Sequence, residues 1–212
     1  MPISERANER AKKLIGGIYS WAADKVYEPL VVNGAFKLFG GPLHERVKEQ
    51  GLAAAAHARG RPILDLPVGT GTFTLTVAGA TDGLVAGVDI AAGMVRQAKA
   101  AAEGVGVTNL VGLQADAHHL PFRDDAFGAI LCTNGLQVMP GLSETLHELR
   151  RVLAEDGMLY VSVVNLPVSS ASNAPTLLMS RSQLQLSFGT AGFTVTSLKS
   201  ERLATFLEAR PT

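Results

Sequence analysis

Apolar and polar positions follow one pattern before residue 60 and another after it. In residues 4–14 and 43–58, apolar residues recur at the three- and four-residue spacing of helices. Glycines interrupt the stretch between these two segments, which predicts short helices with breaks. Gly60 and Pro62 end the second helical pattern. We therefore expect residues 1–60 to form an N-terminal helical cap.

After residue 60, short apolar runs alternate with amphipathic stretches. Such alternation predicts strands and helices in turn, an order that is typical of a parallel sheet. The predicted strands are 63–66, 84–89, 110–114, 126–132 and 158–165, and the predicted helices are 71–79, 93–102, 142–153 and 182–191. Two final strands, 194–197 and 204–209, are joined by so short a link that they must be antiparallel. We therefore expect an α/β fold over residues 61–212, with a seven-stranded, mostly parallel sheet that ends in a C-terminal antiparallel hairpin.

Composition narrows the class of protein. Lys and Arg together number 19, as do Asp and Glu, and this zero net charge argues against a nucleic-acid binder. The single cysteine, Cys132, excludes a disulfide framework and an all-cysteine metal site. No apolar run is long enough to span a membrane, and the first residues lack the apolar stretch of a secretory signal. We therefore expect a cytoplasmic protein that binds neither nucleic acid nor a metal. We also expect it to be a monomer or homodimer.

A glycine-rich loop is the clearest sign of a ligand site. Gly69 and Gly71 lie between the first predicted strand and the helix that follows it. Glycines allow the backbone to approach a ligand closely, and a helix N-terminus offers unpaired N–H groups. Asp89 ends the next predicted strand, where a carboxylate can accept both hydroxyls of a ribose. The spacing therefore predicts a cofactor that contains a nucleoside.

Two residues favour one kind of nucleoside cofactor. A dinucleotide fingerprint would place a third glycine where Thr74 stands, so a pyrophosphate ligand is disfavoured. Asp65 lies beside the loop, and a carboxylate repels phosphate but can orient an ammonium group. Residues 61–165 carry six basic and eleven acidic residues, which also suits a cationic ligand. A cationic nucleoside that carries an amino acid is therefore favoured over NAD.

Several segments resemble the motifs of class I S-adenosylmethionine (SAM)-dependent methyltransferases. The segments that carry the resemblance are 65–71, 88–98, 114–122, 126–130, 148–157, 192–193 and 206–211. The subgroup that the chain resembles is the ubiquinone/menaquinone biosynthesis type of the methyltransferase type 11 family, in which an aromatic stretch precedes the core. The resemblance implies a Rossmann-like fold, SAM as cofactor and S-adenosylhomocysteine as product, with no metal. It also implies transfer of the methyl group to carbon, oxygen or nitrogen of a small-molecule acceptor.

The resemblance also implies a set of contacts with SAM. The implied cofactor-binding residues are Asp65, Pro67, Gly69, Thr70, Gly71, Asp89, Ile90, Met94, Asp116, Ala117, Thr133 and Asn134. Asp65 would orient the amino group, Asp89 would accept from the ribose hydroxyls, and Asp116 would accept from the adenine amino group. The candidate substrate-binding residues are Tyr19, Trp21, Tyr27, Gln137 and Met139. Packing against the sheet explains the three aromatic residues equally well.

Departures from the family pattern keep an alternative open. Pro67 stands where the first glycine of the motif is usual, and Gly128 stands where an acidic residue is common. His118 and His119 are expected to be exposed loop residues, so no residue is a convincing general base. Catalysis is therefore expected to rest on proximity and orientation. The alternative is a degenerate, non-catalytic relative that binds SAM or a partner, while Thr74 and the terminal hairpin count against a third hypothesis, an NAD(P)-dependent reductase.

Overall fold

The computed structural model describes residues 41–137, 139–164, 180–201 and 204–212. Its elements in chain order are α1 (Gly41–Ala58), β1 (Ile63–Asp65), α2 (Thr74–Ala78), β2 (Val85–Asp89), α3 (Ala92–Gly104), β3 (Leu110–Gln114), β4 (Phe127–Thr133), α4 (Leu142–Val152), β5 (Leu153–Val164), α5 (Arg181–Thr190), β6 (Phe193–Ser200) and β7 (Ala204–Pro211). The helices predicted before residue 41 lie outside the described residues. Among the described residues, no helix is both long and apolar enough to cross a membrane.

The seven strands form one sheet in the order β3-β2-β1-β4-β5-β7-β6. Strands β1 to β5 are parallel to one another, and β7 is antiparallel to both β5 and β6. The predicted Rossmann-like sheet with a C-terminal antiparallel hairpin is therefore confirmed. From β1 the chain adds β2 and β3 on one side, and it then returns to place β4 on the other side of β1. The strand order therefore reverses between β1 and β4. Ligands of open α/β sheets bind at the carboxyl ends of the strands at such a point.

Helices cover both faces of the sheet, which explains why the strands read as nearly continuous apolar runs. On one face, Ala54, Ala55 and Ala58 of α1 pack with Ile63 and Leu131 of the sheet. These alanines have small side chains, so α1 lies close to the strands. The division of the chain at residue 60 stays a prediction, although α1 itself packs directly on the sheet.

The opposite face is covered by α4 and α5. Leu146 and Leu149 of α4 and Phe188 of α5 are fully buried in a cluster that includes Ile130 and Leu159 of the sheet. Helix α5 begins with a capping box, in which Ser180 and Gln183 exchange side-chain and backbone hydrogen bonds. The apolar face of each helix therefore fixes its position over the strands.

Three element boundaries differ from the sequence predictions by three residues or more. Helix α2 begins at Thr74 rather than at residue 71, because the glycine loop continues as irregular chain to that point. Helix α4 ends at Val152, and β5 begins at Leu153 rather than at residue 158. The β4–β5 register shifts there, and a side chain at Gly157 would lie only 2.5 Å from Leu153 Cδ1. The strand predicted over residues 194–197 is longer in the structure, where β6 extends to residue 200.

Candidate cofactor site

The loop after β1 begins as an extension of that strand. The N–H of Leu66 donates to the carbonyl of Leu131 at 3.0 Å, and the N–H of Val68 donates to the carbonyl of Val88 at 2.8 Å. The loop is thus attached to β4 on one side and to β2 on the other. Its position at the reversal of strand order follows from these two bonds.

Gly69 and Gly71 have different roles in the loop. Both have positive φ angles, +54° and +83°, which side chains rarely tolerate. A Cβ at Gly71 would lie 3.0 Å from the Cα of Ala98, so the loop packs closely against α3 at this point. A Cβ at Gly69 would meet nothing within 4 Å. Gly71 therefore permits packing inside the protein, and Gly69 leaves an open approach to the backbone.

Asp89, the last residue of β2, is held by two backbone groups. Its Oδ2 accepts from the N–H of Gly69 at 3.1 Å, and its Oδ1 accepts from the N–H of Ala91 at 2.9 Å. Asp89 is only 6% exposed, and this burial raises its pKa against the lowering effect of the backbone hydrogen bonds. Each carboxylate oxygen has a second acceptor position, so the group can still accept from ligand hydroxyls.

Asp65, at the end of β1, is 4% exposed and bonds to α2. Thr74 Oγ1 donates to Asp65 Oδ2 at 2.5 Å, so the residue at the third glycine position joins the strand to the helix. Burial raises the pKa of Asp65 to about 7; the Thr74 hydrogen bond lowers it, and the negative charge of Asp89 raises it further. Two buried carboxyl groups therefore lie near one another at the base of the loop. Such a pair favours a ligand with positive charge.

Pro67 packs on the loop that follows β4. A Cβ at Gly135 would lie 2.3 Å from Pro67 Cδ, 2.9 Å from Cys132 Sγ and 3.1 Å from Met139 Cε. Only glycine fits between these groups. The sequence analysis missed Gly135, although a glycine three residues beyond a predicted site strand is a signal of close backbone approach.

The loop after β3 is folded around Asp116. Asp116 Oδ1 accepts from the N–H of His118, and the Asp116 carbonyl accepts from the N–H of His119, both at 3.0 Å. The N–H of Ala115 donates to the carbonyl of Asp89 at 3.1 Å, which places this loop beside the end of β2. His119 is exposed as expected, but His118 is half-buried and its Nε2 lies 2.7 Å from the carbonyl oxygen of Pro140. The expectation that both histidines are exposed is thus wrong for His118, since this contact draws its ring against the start of α4.

The end of β4 places further candidates at the same edge of the sheet. Thr133 is half-buried, and Asn134 has a φ of +53°, with its N–H bonded to the carbonyl of Ser162 at 2.8 Å. Gln137 is 6% exposed, and its Oε1 has no hydrogen-bond partner among the described residues. Met139 is half-buried in the main apolar cluster.

The structure brings most of the predicted cofactor residues together, and their roles stay predictions. Asp65, Gly69 and Asp89 are joined by contacts through Thr74 and the loop. The remaining described candidates lie in the loop, in α3 or at the carboxyl ends of the strands: Pro67, Thr70, Gly71, Ile90, Met94, Asp116, Ala117, Thr133 and Asn134. Tyr19, Trp21 and Tyr27 lie outside the described residues. Among the described residues, no three His, Cys, Asp or Glu side chains cluster as a metal site would require.

His44 is a residue near the site that the sequence analysis missed. It lies in the first turns of α1, and its ring centroid is 5.1 Å from that of Phe73, which follows the glycine loop. Phe73 in turn packs against a cluster that includes Leu43 and Phe206. No sequence signal marks this contact, because it depends on how α1 crosses the sheet.

Comparisons with known proteins agree with this geometry. Residues 63–157 match the family described as a methyltransferase domain. The chain is 40% identical over 99 residues to malonyl-acyl carrier protein O-methyltransferase of Geobacter sulfurreducens. This match covers 45% of this chain and 36% of the relative. It is 29% identical over 166 residues to the ubiquinone/menaquinone biosynthesis C-methyltransferase UbiE of Haemophilus ducreyi, which covers 76% of this chain and 61% of the relative.

A solved structure of a SAM-dependent methyltransferase from Aquifex aeolicus shares the fold. Its TM-score is 0.67 at 19% identity, over 82% of this chain and 96% of that chain. The match over residues 63–157 makes the chain similar to the class I SAM-dependent methyltransferases, and the solved structure shows that the fold is shared. Within that class the chain resembles the ubiquinone/menaquinone biosynthesis enzymes, as the motifs predicted. The chain spans 36% and 61% of the length of the two curated relatives.

Proposed function

We propose that the protein transfers a methyl group from SAM to a small-molecule acceptor. The observation that carries this proposal is the pair of buried carboxyl groups, Asp65 and Asp89, beside the open backbone at Gly69. Among the ion pairs of the described residues, none includes either aspartate. Because a buried negative charge is costly without a partner, the site favours a ligand that brings a cation. SAM carries both an ammonium and a sulfonium group.

Each part of SAM has a matching group at this edge of the sheet. We assign the ammonium group to Asp65 and the ribose hydroxyls to Asp89, whose oxygens keep acceptor capacity. The open approach at Gly69 suits the methionine part of the ligand. Asp116 and the N–H of Ala117 are assigned to the base, and Thr133 with Asn134 to the region of methyl transfer.

The task of the protein is then binding and orientation. SAM supplies a methyl group that is already activated by the positive sulfur. Asp89 fixes the nucleoside, and its own position is fixed by two backbone N–H groups. Asp65 lies at the base of the glycine loop and orients the amino-acid part of SAM. Alignment of the acceptor with the methyl group supplies most of the rate enhancement in this proposal, and we assign no general base.

The second candidate function is that of a non-catalytic relative that binds SAM. Pro67 and Gly128 favoured this alternative, and the surroundings of each residue weaken that argument. Gly128 lies at the beginning of β4, away from the carboxyl ends, and a Cβ there would lie 2.8 Å from Arg61 Nε. The departure at Gly128 therefore lies away from the proposed cofactor residues. Pro67 is accommodated by Gly135 and leaves the backbone at Gly69 open.

The test is a transfer assay with methyl-labelled SAM and a small-molecule extract. The wild-type protein should move label into an extractable small molecule, and Asp89→Ala should reduce this at least about 100-fold by removing the ribose acceptor. Asp82→Ala, at an exposed turn residue, is the matched control and should retain activity. Binding of S-adenosylhomocysteine without any transfer of label would favour the non-catalytic candidate.

A further inference from the structure

Arg151 binds the loop between β3 and β4. Its Nη1 donates to the carbonyl of Phe122 at 2.8 Å and to Asp124 Oδ1 at 2.7 Å. Its Nη2 donates to the carbonyl of Leu120 at 3.1 Å and to Glu148 Oε1 at 2.7 Å, and its Nε donates to Glu148 Oε2 at 2.8 Å. One guanidinium group is therefore bonded to two loop carbonyls and two carboxylates. We call Arg151 and Glu148 together the α4 clasp.

Glu148 bonds both to Arg151 and to the loop that Arg151 binds. Its Oε1 also accepts from the N–H of Leu120 at 2.6 Å, so both backbone groups of Leu120 are bonded to α4. The hydrogen bond from Arg151 lowers the pKa of Glu148, which keeps this acceptor ionised. The N–H of Asp125 donates to the Arg151 carbonyl at 3.0 Å, so α4 holds the loop at two separate places.

The loop segment that the α4 clasp binds at Leu120 follows closely after Asp116 in the chain. Leu120 and Ala117 are buried, and between them His118 bonds to the Pro140 carbonyl. The contacts along this loop are thus made with α4 and its N-terminal approach rather than with β3. A loop fixed in this way loses little conformational freedom when a ligand binds, which strengthens binding.

We propose that Arg151 is a positioning residue of the cofactor site, which fixes the loop so that Asp116 and Ala117 are preorganised for the nucleoside base. This inference rests on the proposed function. The planar guanidinium suits the role because it bonds two carbonyls and two carboxylates in one fixed geometry, whereas a lysine is a single point donor. The hydrogen bonds of Arg151 are made to Leu120 and Phe122 in the loop, so its effect on Asp116 passes through Leu120 and the loop.

The test measures binding of S-adenosylhomocysteine by calorimetry to wild type, R151K, D116A and the double variant. R151K should weaken binding about 3- to 20-fold through displacement of the loop. If Arg151 acts through Asp116, the double variant should bind only slightly more weakly than D116A, because the two losses share one cause. R150K is the matched control: Arg150 bonds to the Leu153 carbonyl and to Glu155, not to the loop, and this variant should bind as wild type does.

A second measurement separates positioning from general stability. S-Inosylhomocysteine has an oxygen where the adenine amino group stands, so Asp116 should disfavour it. The preference of wild type for the adenine compound should fall several-fold in R151K, whereas a loss of stability alone would weaken the binding of both ligands equally.

E148Q tests the clasp from its acceptor side and should show the same fall in preference if R151K does not fold. Unchanged affinity and unchanged preference in the variants would overturn the inference, and additive losses in the double variant would do the same. Failure of wild type to bind either compound would overturn the proposed function with it.

Discussion

The charge of Asp65 should set the pH dependence of stability. Burial raises its pKa from 3.8 to about 7, so the folded protein holds a proton between these values that the unfolded chain has released. Stability should therefore fall as the pH rises from about 4 to about 7, and should level off above that. This sign is opposite to that of an aspartate in a salt bridge. Each pKa unit corresponds to about 1.4 kcal/mol, and the slope halves where the pH reaches the folded pKa, so the loss between pH 5 and pH 7 is about 2 kcal/mol.

Urea unfolding of wild type and Asp65→Asn over pH 5 to 8 tests this reasoning. The amide keeps an oxygen that can accept from Thr74 but carries no charge, so the variant should lack the loss that Asp65 causes. Asp82→Asn, at an exposed residue, is the control and should follow wild type. S-Adenosylhomocysteine should reduce the pH dependence of wild type, because its ammonium group stabilises the charged form. Equal pH dependence in wild type and Asp65→Asn would refute the assignment of buried, unpaired charge to Asp65.

Three glycine substitutions test the packing of the site. Gly71→Ala should cost about 2–4 kcal/mol in urea unfolding, because a Cβ would lie 3.0 Å from Ala98 Cα at a φ of +83°. Gly69→Ala should cost only about 1 kcal/mol, for its left-handed backbone, but should weaken S-adenosylhomocysteine in calorimetry. Equal effects of these two substitutions on stability would contradict the division of roles. Gly135→Ala should destabilise the protein and displace Pro67, and a wild-type urea midpoint in that variant would show that the two do not pack as described.

The sheet and the glycine loop could be predicted because their signals are local. Strands buried on both faces read as apolar runs, and Asp65 and Asp89 stand at the ends of two such runs. The end of α4 could not be predicted in this way. Its amphipathic pattern continues into Leu153, and only the pairing of Leu153 with Phe127 makes that residue the first of a strand.

The remaining parts of the site depend on contacts between distant segments. In the sequence, Pro67 is a departure from the usual glycine of the motif. Only the structure shows that Gly135 accommodates the proline ring. Arg151 belongs to an ordinary helical pattern, and only the folded chain shows its bonds to Leu120 and Phe122. His118 is a loop histidine by sequence, and its contact with Pro140 again requires the position of α4. Such contacts carry no periodicity, so pattern analysis does not find them.

We propose that Asp65, Asp89 and the backbone at Gly69 bind SAM. Calorimetric titration of wild type and Asp89→Ala with S-adenosylhomocysteine at pH 8 tests this proposal. Wild type should bind with a dissociation constant of roughly 1–100 μM and the variant should bind far more weakly, with NAD binding to neither. Absence of binding to folded wild type, or equal binding by wild type and Asp89→Ala, would contradict it.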